Sequence, residues 1–339
     1  MLARPRNLAL TAFPHVTHGA LCTTVYQRSL GTLSSVAKTA AQPPLGWERT
    51  QPFELPPWLQ PRKTTGTVRF LGQTLDGLPA FLNFKKGLEH LTNIGASVKK
   101  KVDVTDLRYY EPPTTLAVEG VQWLRAPTCL SEDRLVKDDS KLVDDFVRGP
   151  YFRECASIVQ SQTGAAKVVP YNYRHRRIEE KTDLHGPYKF SAKPLPNLHM
   201  DNDAATAEVN LRRELGEEDA SHWLTKRWAI VNLWRPVGDV VRQWPLAVVD
   251  ARTVAPDRDT TPIYTLSNYK THFSALKPHH HFKFYYVSDL APDEALLFVD
   301  YDSKKGQGIA HGAFEDHSAP ERYPRRRSIE VRSLVLYDS

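Results

Sequence analysis

Thirteen histidines are spread along the 339 residues, and one stands two positions before an aspartate in LPNLHMDND, as His199-Met200-Asp201. On an extended chain residues i and i+2 share a face, so this imidazole and carboxylate can converge on one cation. Neutral imidazole with carboxylate suits Fe(II), and two imidazoles with one carboxylate leave open positions for O2 and a cosubstrate. The pair alone is a weak signal, because a chain this rich in His and Asp yields roughly one H-x-D by chance. A surface strand or turn is the bland alternative. A third ligand must come from later in the chain, where His311 sits in GIAHGAF. Fifteen residues further on, RRRSIEVR contains Arg326-x-Ser328. A guanidinium can take the distal carboxylate of a dicarboxylic keto acid through two bonds, with a hydroxyl two residues later on the same strand face. A solvated charge run over 325–327 is the alternative there, and Arg332 is a second candidate anchor.

Other chemistries are excluded or less favoured. The chain has no G-x-x-x-x-G-K-[ST], G-x-S-x-G, H-E-x-x-H or cysteine-rich zinc spacing. Gly306, Gly308 and Gly312 do not spell a dinucleotide fingerprint. Three adjacent histidines, His279 to His281, alternate sides if extended and cannot all converge, so a solvated turn is the better reading. Met200 should point away from the cation site and pack. Asn232, Arg235 and Trp234 in NLWRP suit either substrate contact or burial in caps, ion pairs and core. Cys129 and Cys155 read as buried small hydrophobes.

The elements that must position these residues are mainly strands. GTVRFLG (66–72) alternates, and residues 78–84 should pair with it after a turn at Asp76-Gly77. Residues 140–160 have helical spacing interrupted at Gly149-Pro150, and 165–173 is a strand. An acidic helix over 203–225 opens at an Asp cap. Five β-prone runs follow at 228–234, 245–249, 282–287, 295–301 and 328–337. That spacing predicts a sandwich or barrel, with a helix-containing front half wrapped on an all-β back half.

Composition narrows the rest. Hydrophobic residues at 41% and charged residues at 25% are globular values. The net charge of +6 is local: residues 1–64 carry +5 and 321–332 carry +3, leaving −2 elsewhere. No broad basic face follows, so nucleic acid is not an expected partner. Three scattered cysteines argue against a disulfide framework. No run approaches the length of a membrane span. Residues 1–62 read as a basic, proline-rich leader and linker, poorly ordered, before a single domain at 63–339. The cytoplasm is the default compartment. The first 47 residues lack any acidic side chain, and that composition also allows a mitochondrial presequence.

With these residues in view, a resemblance emerges. WAIVNLWRPVGDVVRQWPLAVVDARTV (228–254), KFYYVSDLAPDEALLFVDYDS (283–303) and RRSIEVRSLVLY (326–337) resemble the fungal and bacterial hydroxylase/desaturase family of secondary-metabolite clusters, the AsaB type. VRFLGQTLDGLPAF (68–81), VEGVQWLRAPT (118–128) and TGAAKVVPYNYRHR (163–176) fit it too. The resemblance implies a relative of Fe(II)/2-oxoglutarate dioxygenases on a double-stranded β-helix, or jelly-roll, with front-half helices packed around it. It implies iron ligands at His199, Asp201 and His311, and an oxoglutarate clamp at Arg326 and Ser328. Relatives carry an acidic residue where this chain has Arg327. The implied reaction is hydroxylation or desaturation of a small natural-product intermediate. A non-catalytic β-barrel that assists a partner enzyme, and a cupin-like oxygenase without oxoglutarate, are the competing readings. Oligomeric state is not legible.

Overall fold

The computed structural model describes residues 62–83, 91–135, 140–178, 193–266, 272–320 and 323–338. The leader, apart from Arg62, and Cys22 lie outside them. Five strands come from the first half: β1 (Lys63–Phe70), β2 (Phe81–Asn83), β3 (Val98–Asp106), β4 (Val121–Arg125) and β5 (Lys167–Arg177). Next are β6 (His199–Met200), β7 (Trp228–Pro236), β8 (Leu246–Val249), β9 (Thr260–Leu266) and β10 (His272–Leu276). The last five are β11 (Phe284–Tyr286), β12 (Glu294–Asp302), β13 (His311–Ala313), β14 (Glu315–Asp316) and β15 (Arg327–Leu336).

They form two sheets. The larger runs β14-β1-β3-β11-β8-β13-β6-β10-β9-β2, and the smaller runs β4-β12-β7-β15-β5. Both sheets contain front-half strands, so the first half of the chain is woven into the β-structure and does not merely wrap it. This is the expected mainly β jelly-roll.

Every residue of β7 and β12 is buried, which identifies a sheet covered on both faces. The faces alternate. Trp234, Leu296 and Phe298 point between the sheets to meet Leu246, Val248 and Tyr285. Val231, Leu233, Ile329 and Val331 point outward against Val147, Tyr151, Phe152, Cys155 and Val159. The covering helix is continuous across the predicted interruption. Helical turns over Ser140–Phe146 and Phe152–Thr163 are joined by a wider π turn, Val147–Tyr151. Pro150 has no N–H to donate, and a widened turn absorbs that loss without breaking the helix.

The acidic helix opens as expected, with Asp203 accepting from the Thr206 N–H. Gly216, at φ +80°, splits it into Ala204–Leu215 and Glu217–Leu224.

One predicted pairing is wrong. The Asp76-Gly77 turn forms, with Gly77 at φ +71°, but β2 pairs with β9 and not with β1. Both sides of β1 are already taken, by β3 and β14. Residue 84 of the predicted strand lies outside the described residues.

Candidate active site

β6 is two residues long and lies between β10 and β13. Its first residue, His199, is directly opposite His311 across the β6–β13 pair. Their rings are 4.5 Å apart, centroid to centroid. The chain then delivers Asp201, whose Oδ1 is 3.5 Å from His199 Nε2 and whose Oδ2 is 3.7 Å from His311 Nε2. One ligand atom from each of the three lies within 4.8 Å of the others. Met200, between His199 and Asp201, turns to the other face and packs with Leu198, Ala247 and Phe284.

The imidazoles are set up as donors of electron pairs. His199 Nδ1 lies 2.7 Å from the Asn197 carbonyl. A carbonyl only accepts, so Nδ1 carries a proton in this contact and Nε2 is the nitrogen that faces Asp201. His311 makes the same contact, more loosely, to the Ile309 carbonyl at 3.4 Å. Burial and the neighbouring His199 push the His311 pKa down to about 4, so its ring is neutral at pH 7. Burial alone would raise the Asp201 pKa, but Arg332 and the two imidazoles outweigh it and hold the carboxyl well below the usual range. Two imidazoles and one carboxylate within 4.8 Å of one another match the donor set of a mononuclear Fe(II) centre. Gly308, three residues before His311, lies close against β12: a Cβ there would fall 1.9 Å from the Asp300 carbonyl oxygen.

The acid limb of stability follows from His311. Unfolded, it takes a proton near pH 6.5; folded, it resists until about pH 4. The unfolded state therefore binds more protons between these values, and stability falls as pH is lowered through that window. The metal-free protein is expected to lose about 3 kcal/mol there from this group. Urea midpoints at pH 7 and pH 4.5 for wild type and His311→Gln check it; equal losses in both would remove His311 as the cause.

Beside the triad a pocket opens to solvent, lined by His199, His311, Leu195, Trp234, Leu246, Arg176 and residues of β15 and its approach. Alternation aims Ser328, Glu330 and Arg332 inward, with Arg326 just before the strand on the same side. Arg326 is 2% exposed. Its Nε lies 3.2 Å from Ser328 Oγ, another nitrogen donates to the Trp244 carbonyl, and its Cζ lies over the Trp234 ring, 5.0 Å from the centroid. Burial and the like charge of Arg176 push its pKa down to about 9, which still leaves it cationic at neutral pH. Arg327 turns the other way and pairs with Glu132. Arg325 is exposed. Arg332, the second candidate anchor, is committed to Asp201 and Glu330.

The remaining candidates fall outside the cavity or behind it. Arg235 is fully buried on the outer face of β7, donating to the Ala126 carbonyl at 2.9 Å and 3.4 Å from Glu154. Asn232 faces inward opposite Arg332, with neither amide atom hydrogen-bonded. His279 and His281 approach Asp259 at the surface, at 3.7 and 3.1 Å. Cys155 is a buried core residue as expected, whereas Cys129 is exposed. The few buried contacts around Cys129 and the nearby Glu154 raise its thiol to about 11, so it is not a reactive thiolate at neutral pH. Sequence reasoning missed Asn197, which orients His199, and Glu330. Both sit two residues from a predicted site residue, the spacing that signals a shared face.

A family model described as an oxidoreductase/YMDC permease-like domain matches residues 68–336. The chain belongs to this oxidoreductase family. A relative from Cochliobolus lunatus, oxidoreductase clz16, is 34% identical over 290 residues, 81% of this chain and 97% of its own length. The hydroxylase/desaturase efuI of Hormonema carpetanum is 32% identical, over 70% of this chain and 83% of its own. Among solved structures, the iron and alpha-ketoglutarate-dependent endoperoxidase NvfI superposes with a TM-score of 0.68 at 27% identity, covering 81% of this oxidoreductase and 98% of NvfI. Among the described residues of this oxidoreductase, no helix is long and apolar enough to cross a membrane.

Proposed function

We propose that this oxidoreductase is an Fe(II)/2-oxoglutarate-dependent hydroxylase or desaturase acting on a small natural-product intermediate. The observation that carries the reading is the convergence of two imidazoles and one carboxylate, with both imidazoles lining one pocket together with a buried arginine. His199, Asp201 and His311 would hold the iron, and Arg326 with Ser328 the far carboxylate of oxoglutarate. When bound, the two supply activation of O2 coupled to decarboxylation of oxoglutarate to succinate, and with it the oxidant for a C–H bond.

The chain's own groups do the rest. Asn197 fixes which nitrogen of His199 faces the ion. Trp234 stacks against the Arg326 guanidinium and restricts its motion, so the anchor is preorganised. Leu195, Leu246, Ala313 and Trp234 give the cavity an apolar wall that limits water and can seat a hydrocarbon framework. The complete donor set favours a catalyst over a silent binding protein, and a buried, cationic Arg326 favours a keto-acid cosubstrate over a cupin-like scheme without one.

Anaerobic titration of the Fe(II) protein with 2-oxoglutarate tests the reading. A charge-transfer band near 500 nm (roughly, for such chelates) is the expected result, and admission of O2 should then yield succinate. A wild-type protein that binds Fe(II) but shows neither would sink the assignment.

A further inference from the structure

Four successive inward positions around β15 are Arg326, Ser328, Glu330 and Arg332, and the second arginine has a different setting from the first. Arg332 Nη2 lies 2.5 Å from Asp201 Oδ2 and 3.3 Å from Glu330 Oε1. Glu330 is 6% exposed. Asp201 follows a strand of two residues, so no long ladder restrains its side chain. A carboxylate oxygen can be ligand or ion-pair acceptor, and here Arg332 occupies Oδ2 while Oδ1 stays 3.5 Å from His199 Nε2.

A guanidinium beside a metal ligand has two opposed effects. Its charge repels a dication, which weakens metal binding. Its hydrogen bond fixes the carboxylate in one orientation, which strengthens binding by lowering the cost of organising the site. Glu330 decides between them. Its buried carboxylate cancels the charge of Arg332, so the pair is neutral as seen by an incoming ion while still gripping Asp201.

We propose that Arg332, balanced by Glu330, is a positioning residue that holds the Asp201 carboxylate in one orientation for the metal, and that it takes no part in holding oxoglutarate. This rests on the reading that the triad binds a divalent ion. It splits the two arginines of β15 by task, Arg326 to the cosubstrate and Arg332 to a metal ligand.

The test is titration of the metal-free, full-length protein with Mn(II), counting free ion by electron paramagnetic resonance. Arg332→Gln should raise the Mn(II) Kd by about 10- to 100-fold. Arg332→Lys should recover part of that loss, because an ammonium keeps the charge but lacks the fixed planar geometry of the guanidinium that holds Asp201. Glu330→Gln, which leaves the guanidinium charge unbalanced, should also weaken Mn(II) binding. With metal saturating, the oxoglutarate concentration that half-develops the charge-transfer band should stay within about threefold of wild type in Arg332→Gln. A Mn(II) Kd at or below the wild-type value in Arg332→Gln overturns the proposal, as does a loss of oxoglutarate affinity with metal affinity intact. Should Arg332→Gln fail to fold, Glu330→Gln decides: a wild-type Mn(II) Kd there overturns it equally. Failure of the broader oxygenase reading looks different, since wild type would then bind Mn(II) yet give no band with Fe(II) and oxoglutarate.

Discussion

His199→Ala and His311→Ala are each expected to abolish the oxoglutarate charge-transfer band and to cut succinate formation on the order of a thousandfold. Each change removes one of two imidazole donors from a three-ligand set, and a metal–ligand contact in such a site is worth several kcal/mol, or about 10³ in affinity. Neither ring is needed to hold its sheet together. The register of β13 on β8 comes from backbone bonds at three successive positions, and β6 is held by β10 as well as β13. The variants should therefore stay folded, as near-ultraviolet circular dichroism can show. A band that persists in either folded variant would mean that the ligand set is misassigned. The substitutions separate the residues from their alternatives, because His279 and His281 would be untouched and could not compensate from their position on Asp259.

Arg326→Gln is expected to raise the oxoglutarate concentration needed for half-maximal band intensity by about 10²- to 10³-fold, with Mn(II) binding unchanged. Breaking one side of a buried, charge-assisted pair costs about 3–5 kcal/mol, and the factor follows from that. Ser328→Ala should cost only about fivefold, the worth of one hydrogen bond from a neutral hydroxyl. Arg327→Ala is the control. Its side chain pairs with Glu132 away from the cavity, and its effect should stay within about twofold, as for an exposed ion pair. Equal losses from Arg326→Gln and Arg327→Ala would show that the wrong arginine had been placed inside.

These outcomes bear on how much of the site was legible in advance. H-x-D and R-x-S are spacing signals, and each depends only on alternation within one strand or one short segment. The structure brings His199, Asp201 and His311 within 4.8 Å of one another and sets Arg326 beside Ser328, although a lone distant His has no alternation of its own. The Arg326-or-Arg332 choice depended on something else. It turns on which β15 residue lies level with Asp201, a contact between positions 131 residues apart. That level is set by the register of β15 on β7, with Arg332 opposite Asn232, and no local pattern encodes it.

The fold shows the same division. The largely apolar runs within β7 and β12 were plain, since burial on both faces favours a nearly continuous hydrophobic stretch. β3 escaped notice because Lys99, Lys100 and Lys101 disguise its alternation, and its strand state is imposed by eight paired positions along β1. β9 carries Pro262, which breaks the local strand pattern, yet Pro262 sits opposite Ser274 within a strand pair. The partner of β2 was misjudged because hairpin logic assumes a free neighbour, and β1 had none to offer.

The alternation of β15 has one more consequence, for how this gene can change. Odd positions Ile329 and Val331 feed the hydrophobic layer under the helix, and even positions 326 to 332 carry the polar inner face. One short segment thus encodes two unrelated requirements in alternate codons. Loss or gain of a single codon between 327 and 331 would exchange the two faces, sending aliphatic groups into the cavity and charges into the dry layer. Point substitutions in this segment can be tolerated one face at a time, while frame-preserving insertions and deletions strike both at once. The loop 303–308, outside any such alternation, is where changes of length are more readily accommodated, up to the close approach at Gly308.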